Sequence, residues 1–253
     1  MRNKSLLLLI GILVISLLPS CRKDVKTCKL GKYYLSDGSS TPSPNIFLYN
    51  ENGKVKRIGY TDGSKDTVIY NADTITIISY NRYDSLATTF TGLLNASGSV
   101  TSGAKNSYDI YGNLTGTDYL AYEYNAEGRM TKQTTNNTSG ATILSLTYDG
   151  GNTKTGGLYT GGLLNKRYYL YHNTAENKTN VNDLNGVFTP WLGNSSANLL
   201  DSMHIITPST SDTVRIQYAH TLDDNSYLSK TIQTWLTPGV QTKFHTYQYF
   251  DCN

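Results

Sequence analysis

The chain is poor in the residues that build helices and poor in charge. Its 253 residues include only 10 Ala, 4 Glu and 3 Met, and 16% are charged, against a usual share of about 25%. Ala, Glu and Met are among the best helix formers, so their scarcity excludes a helical bundle and an α/β fold with many crossover helices. Aromatic residues make up 11% of the chain, which is too many for a disordered protein.

Residues that favour strands and turns are abundant instead. The chain contains 33 Thr, 21 Tyr and 22 Gly; Thr and Tyr are enriched in strands and Gly in turns. After residue 20 no apolar run approaches the 18 residues that a spanning helix needs. The composition therefore predicts an all-β protein without a transmembrane helix.

The first twenty residues have the pattern of a secretory signal peptide. Arg2 and Lys4 form a short basic start, and an apolar run follows over residues 6–18. Thirteen residues are short for a membrane span but typical of the apolar region of a signal peptide. We expect residues 1–20 to be removed from the mature protein.

The segment Leu-Pro-Ser-Cys at residues 18–21 resembles the lipobox of bacterial lipoproteins. The resemblance implies that Cys21 is the lipid attachment site and that residues 21–27 form a short lipidated tether. Arg22 follows the cysteine, where Asp would favour retention at the inner membrane, so the resemblance implies an outer-membrane address. Whether the protein faces the periplasm or the outside is open at this point.

The mature protein is almost neutral. Removing residues 1–20 removes two of the 22 basic residues and none of the 19 acidic ones, which leaves a net charge of 20 − 19 = +1. Such a balance gives no electrostatic reason to expect a nucleic-acid partner. The partner that the sequence does predict is a membrane, contacted through the lipid anchor.

One turn motif recurs along the chain: Tyr, then Asn or Asp, two variable residues, Gly, one residue, and an apolar residue. Asn or Asp opens a type I turn, and Gly three residues later accepts a positive φ, so each copy predicts a hairpin. Asp84 and Ser226 occupy the Gly position of two copies, and we expect those turns to be irregular. The copies begin at Tyr49, Tyr108 and Tyr124, with variants at Tyr80, Leu94, Leu222 and, in shortened form, Tyr148.

Repeated hairpins predict one domain over residues 28–253, an up-and-down antiparallel meander. Once Cys21 is lipidated, Cys28 and Cys252 remain as an even pair in a compartment that permits disulfides. A bond between them requires Cα atoms within about 7 Å. It would bring the first and last strands together, so we expect a strongly curved or nearly closed, barrel-like sheet.

Residues 172–202 interrupt this rhythm and are predicted to form an irregular insert. The segments 182–184 and 195–200 could each form a short helical turn. The insert has too many large apolar side chains to be solvated, so we expect Val187, Phe188, Trp191 and Leu192 to pack against the sheet as a core plug. Exposed Phe188 and Trp191 would instead be candidates for stacking against a ligand.

The turn repeats resemble the tyrosine-aspartate repeats of RHS-type proteins. Together with Asn-Lys-Thr-Asn at 177–180 and Ser-Ala-Asn-Leu at 196–199, they resemble a family of bacterial lipoproteins of unknown function with a porin-like fold. The resemblance implies a shape and an address but no activity. It does not imply a channel, because the strands lack the outward apolar band of a membrane barrel.

The sequence carries no catalytic, cofactor or metal motif. None of the four His lies at a tight ligand spacing, and the glycine-rich stretch 151–156 has Gly157 where a phosphate loop needs Lys. The function we expect is a lipid-anchored envelope module that binds a glycan, a protein or an apolar ligand. The alternatives are a periplasmic carrier of an apolar ligand in an open half-barrel, which needs an unfilled concave face, and, least favoured, an enzyme, which needs convergent titratable groups.

The predicted disulfide can be tested directly. Tryptic mass mapping without reductant, on protein isolated from the envelope, should recover Cys28 and Cys252 in one cross-linked peptide pair. The chain-entropy model assigns about 5 kcal/mol to a loop of this length, so the reduced protein should also unfold more easily. Recovery of both residues as free thiols would exclude the bond.

Overall fold

The described part of the chain is almost entirely β-structure. The computed structural model describes residues 28–38, 43–179, 190–236 and 241–250. The only helical element there is the three-residue 3₁₀ turn Pro190–Leu192, so none of it could cross a membrane as a helix. The strands are β1 Lys29–Ser36, β2 Asn45–Tyr49, β3 Val55–Gly59, β4 Lys65–Tyr70, β5 Thr74–Tyr80, β6 Leu86–Leu94, β7 Val100–Tyr108, β8 Leu114–Tyr124, β9 Met130–Asn137, β10 Gly140–Asp149, β11 Asn152–Thr160, β12 Leu163–Glu176, β13 Asn198–Thr207, β14 Asp212–Leu222, β15 Leu228–Trp235 and β16 Gln241–Phe250.

The strands form one closed barrel. Each pairs antiparallel with its neighbours in sequence, and β16 pairs with β1, where Phe250 lies opposite Lys29. The predicted antiparallel meander is therefore confirmed, and the sheet closes completely. Cys28 directly precedes Lys29, but Cys252 lies outside the described residues, so the disulfide stays a prediction.

The recurring motif forms one kind of turn. We count the residues of the turn from the Asn or Asp position. The N–H of the first residue donates to the carbonyl of the fifth, and the N–H of the fourth residue donates to the carbonyl of the first. In most copies the first side chain also accepts backbone N–H bonds from the third and fifth residues. The motif did not predict the turn at Tyr60, which lacks Asn or Asp in first place. Among the residues that the structure describes, seven turns share the backbone pattern, beginning at Asn50, Tyr60, Asn81, Asn95, Asp109, Asn125 and Asp223.

The expectation of irregular turns at Asp84 and Ser226 is wrong. Both residues adopt the left-handed conformation, with φ of 60° and 62°, and both make the same backbone hydrogen bonds as the glycines of the other copies. The bonds to the first side chain hold the loop in shape, so a residue with a Cβ is forced into a conformation that costs about 1–2 kcal/mol. The short copy after Tyr148 is a two-residue turn in which Gly150 and Gly151 both have positive φ, as a type I′ hairpin requires.

Tyrosines at strand ends hold the neighbouring strand. Each hydroxyl donates a hydrogen bond of 2.6–2.8 Å to a backbone carbonyl near the start of the preceding strand. Burial raises the pKa of Tyr49, Tyr124 and Tyr249, so these phenols stay protonated donors. This contact explains why Tyr leads several copies of the motif. The pairs are Tyr49 with Leu30, Tyr124 with Val100, Tyr148 with Met130, and Tyr249 with Leu228.

The connection between β12 and β13 is shorter than the insert expected over residues 172–202. β12 continues to Glu176 and β13 begins at Asn198, so residues 198–200 form strand where a helical turn was expected. The 3₁₀ turn lies at Pro190–Leu192 instead. The described end of this connection docks on two hairpins: Asn194 N–H donates to the carbonyl of Gly128, and Ser196 Oγ accepts a bond from the Thr153 N–H.

The left-handed serine makes the turn geometry testable. Ser226→Gly should raise the free energy of unfolding by about 0.5–1 kcal/mol, because relief of the left-handed strain outweighs the added flexibility of the unfolded chain. The matched change Gly98→Ser, at a φ of 79°, should lower it by a similar amount. Urea denaturation measures both free energies of unfolding, and changes of the same sign in the two variants would contradict the strain argument.

Candidate functional site

Side chains of each strand alternate between the barrel interior and its outer surface. In β14, Ile216 is 1% exposed, whereas Arg215 and Gln217 on either side are exposed. Directly paired residues of antiparallel strands point to the same side, and Ile216 lies opposite Met203, which is also buried. The strand register therefore shows, for each strand of the barrel, which residues face the interior and which face the outside.

The interior contains two apolar clusters beside a smaller set of buried polar side chains, and the outer surface mixes polar and charged side chains with exposed apolar ones such as Ile46, Leu48 and Ile69. The largest buried cluster draws residues from β1 to β5, β7, β13, β15 and β16, and a second cluster joins β12, β13 and β14. Outside, the strands carry many Thr and Ser, together with exposed charged side chains. Those charged residues include Lys32, Arg57, Glu123, Arg167, Arg215 and Lys230.

Polar side chains on β14, β15, β16 and β1 form a buried chain of hydrogen bonds. The Tyr33 hydroxyl donates to Nδ1 of His245 over 2.7 Å, and Nε2 of His245 donates to Oε1 of Gln233 over 3.0 Å. A neutral imidazole protonated on Nε2 satisfies both contacts. The Gln233 amide continues the chain to the Tyr218 hydroxyl over 3.4 Å.

A second histidine lies in the same interior region. Nε2 of His220 donates to the Leu200 carbonyl over 2.6 Å, and Nδ1 accepts from Thr231 Oγ1 over 2.9 Å. The Tyr218 ring stacks on the imidazole, with centroids 6.3 Å apart and an interplanar angle of 9°. Both nitrogens of each buried histidine are thus engaged within the protein.

Burial keeps both histidines neutral. It lowers the pKa of His245 to about 4, with a smaller contribution from the charge of Lys243 and from repulsion by His220 when that residue is protonated. It also lowers the pKa of His220, against a hydrogen bond to Leu200 that raises it. Within the described residues no three His, Cys, Asp or Glu are grouped so that they could hold a metal. The role of the buried network in the barrel is to satisfy the hydrogen bonds of these interior polar side chains.

A groove, which we call the outer groove, lies on the outer surface of β10, β11 and β12. It consists of two cavities of about 440 and 220 Å³ that share Thr155 and Tyr169. Along β11 the lining runs from Asn152 to Tyr159. The seven steps between these eight residues, at about 3.4 Å each, give a length of about 24 Å. The lining of the groove thus follows the strands over about 24 Å.

We call the cavity of about 440 Å³ the wider half of the outer groove and the cavity of about 220 Å³ its narrower half. A glycine on β11 shapes the narrower half. Gly157 lies opposite Ser145 on β10 and Arg167 on β12, and it leaves their row without a central side chain. A Cβ at Gly157 would stand 2.8 Å from the Tyr159 ring. The ring therefore lies against the strand backbone, and only glycine leaves room for it.

The outer groove combines aromatic rings, hydroxyl groups and charges of both signs. Arg167 Nη1 lies 3.5 Å from the Tyr169 hydroxyl, and Tyr171 packs against His204 with ring centroids 5.4 Å apart. Tyr171 is 50% exposed. The other charged contact is an exposed ion pair of 3.0 Å between Lys154 and Asp149.

The residues singled out from the sequence do not converge on this groove. Trp191 is partly buried and packs against the largest apolar cluster, whereas Val187 and Phe188 lie outside the described residues, so the plug stays a prediction. Cys21 and residues 1–27 also lie outside them. The glycine-rich stretch 151–156, which has a spacing similar to that of a phosphate loop, consists of the second residue of the turn at Gly150 and Gly151 and the first residues of β11.

The buried histidine makes stability depend on pH. Because the folded pKa of His245 is about 4 and the unfolded value is about 6.5, its contribution is present above pH 6.5 and is lost as the pH falls towards 4. Wild-type protein should lose about 2 kcal/mol of unfolding free energy through this residue between pH 7 and pH 5. His245→Gln should lose correspondingly less over the same interval in urea titrations. Parallel pH profiles of the two proteins would refute the assignment.

Comparison with known proteins supports the fold. No family model matches the chain, and the search of curated proteins found no match. Two solved structures are similar over 87% of this chain and 98% of their own. They are a porin-like protein from Bacteroides uniformis, with a TM-score of 0.63 and 16% identity, and one from Bacteroides vulgatus, with a TM-score of 0.62 and 15% identity. At these identities the likeness shows that the chain shares the porin-like barrel fold.

Proposed function

We propose that the protein is a lipid-anchored binding module of the outer membrane whose barrel stands in water. The observation that carries this proposal is the direction of the side chains: the buried clusters are apolar, whereas charged side chains stand exposed on the outer face of the barrel. The porin-like fold of the two similar structures and the lipobox-like segment before Cys21 support the outer-membrane address.

The outer surface is poorly suited to lipid. A membrane-spanning barrel presents an apolar band about 25 Å tall, and each Arg or Lys facing the bilayer midplane costs about 2–4 kcal/mol. Here Arg57, Arg167, Arg215 and Lys230 lie exposed on the outer faces of β3, β12, β14 and β15. A lipid anchor at Cys21 supplies the attachment that such a surface does not.

The ends of the chain orient the barrel. β1 begins at Lys29 and β16 ends at Phe250, and these residues are paired at one end of the barrel, which we call the terminal end. The six residues from Arg22 to Thr27 span at most about 20 Å. The terminal end therefore lies close to the membrane, and the side of the barrel, with the outer groove, projects beyond it.

The binding role rests on the outer groove. The carrier alternative has less support, because the interior apolar side chains pack on one another in two clusters. The enzyme alternative remains the least favoured, since the buried histidines are neutral and occupied by hydrogen bonds. A long groove with exposed aromatic and polar groups suits reversible binding.

The anchor and the water-exposed barrel can be tested with one substitution. Cys21→Ala should abolish labelling by radioactive palmitate and release the full chain into the aqueous fraction without detergent, or leave it with its signal peptide uncleaved. Wild-type protein is the control and should partition with membranes. Processed Cys21→Ala protein that still needs detergent for extraction would show a barrel embedded in lipid. Unchanged palmitate labelling would show a different attachment site.

A further inference from the structure

We propose that the outer groove binds a linear polysaccharide, with Tyr169 as the ring on which a sugar stacks. This inference rests on the proposed function, because it names the ligand class of the binding module. It starts from the shape of the groove. A trough about 24 Å long that is open along the strands fits a chain of several sugar units better than a compact small molecule.

The chemistry of the lining points the same way. A sugar ring has an apolar face of C–H groups and an edge of hydroxyl groups, so its site needs aromatic rings beside donors and acceptors. The exposed Tyr171 and the half-buried Tyr159 and Tyr169 supply the rings. Thr147 and Thr155 supply hydroxyl groups, which lie 2.7 Å apart in the floor of the groove.

Charged groups line both halves of the groove. Lys154 and Asp149 pair with each other in the wider half, whereas Arg167 in the narrower half contacts the Tyr169 hydroxyl. Arginine is suited to bidentate hydrogen bonding with carboxylates. Arg167 is therefore the residue expected to favour a glycan that carries acidic groups.

Two kinds of peptide ligand fit the groove poorly. An extended peptide adds to a sheet at a free strand edge, but β10, β11 and β12 are paired on both sides within the closed barrel. An amphipathic helix needs a row of apolar anchor pockets, whereas this groove is lined mainly by tyrosine, threonine and charged side chains. The stacking rings and hydroxyl groups match a glycan instead.

Affinity gel electrophoresis of the mature lipoprotein in mild detergent tests the proposal. The probes in the gel are two neutral polysaccharides, xylan and β-glucan, and two acidic ones, polygalacturonate and chondroitin sulfate. We expect at least one probe to retard the wild-type protein. Tyr169→Ala should weaken that interaction at least tenfold. Thr155→Met, which fills the groove where its two halves meet, should do the same without touching the core.

Tyr119→Ala is the matched control, because Tyr119 is 61% exposed on the outer face of β8 and lies outside the groove. It should keep wild-type retardation, and thermal melting should show that all variants are folded. Arg167→Gln should weaken retention by an acidic probe more than by a neutral one.

The proposal is overturned if none of the four probes retards wild-type protein, or if Tyr169→Ala and Thr155→Met bind as wild type does. Loss of binding in Tyr119→Ala as large as in Tyr169→Ala would also overturn it. These results are separate from the palmitate and solubility tests. A protein that passes those tests but binds no probe is still an anchored barrel, with a ligand of another class.

Discussion

The closed hydrogen-bonded ladder is the constraint on which the rest of the structure depends. Once β16 pairs with β1, each strand has a neighbour on both sides, and the alternate side chains of each strand must face either the interior or the surroundings. A ring of sixteen strands encloses more space than small side chains can fill. Tyr33, Phe47 and Tyr247 are among the large side chains buried inside it, and the hydroxyl of Tyr33 finds a buried partner in His245.

The recurring turn is where local sequence and the closed ladder meet. Asn or Asp in first place closes the loop with its own side chain, and the preceding Tyr reaches back to the neighbouring strand in several copies, such as Tyr124 to Val100. One short motif therefore forms the hairpin turn and links its strand to the neighbouring strand. At Ser226 the hydrogen bonds of the turn outweigh the strain of a positive φ, because they hold a residue with a Cβ in a conformation that favours glycine.

Much of the fold can be predicted from the sequence, because strands and hairpin turns are signalled locally. The meander follows from the spacing of the turns, and the disulfide proposed between Cys28 and Cys252, which is still untested, predicts a strongly curved or nearly closed sheet. The outer groove could not be predicted in the same way. Gly156 and Gly157 are adjacent in a stretch that suggests a loop, yet only the register shows that Gly156 faces inward opposite Tyr168 and Gly157 faces outward opposite Arg167.

The strand register also relates the outer groove to the proposed membrane anchor. Because β11 and β12 are strands of the barrel wall, a groove that follows them runs from near the terminal end along the side of the barrel. In the arrangement that we propose, a short tether at the terminal end holds that end at the membrane and leaves the wall open to water. Binding at the wall requires no opening of the barrel and no disturbance of its apolar interior. Selection can therefore change outward residues such as Tyr169 or Arg167 with little effect on the clusters that stabilise the fold, which is how one barrel could serve different ligands.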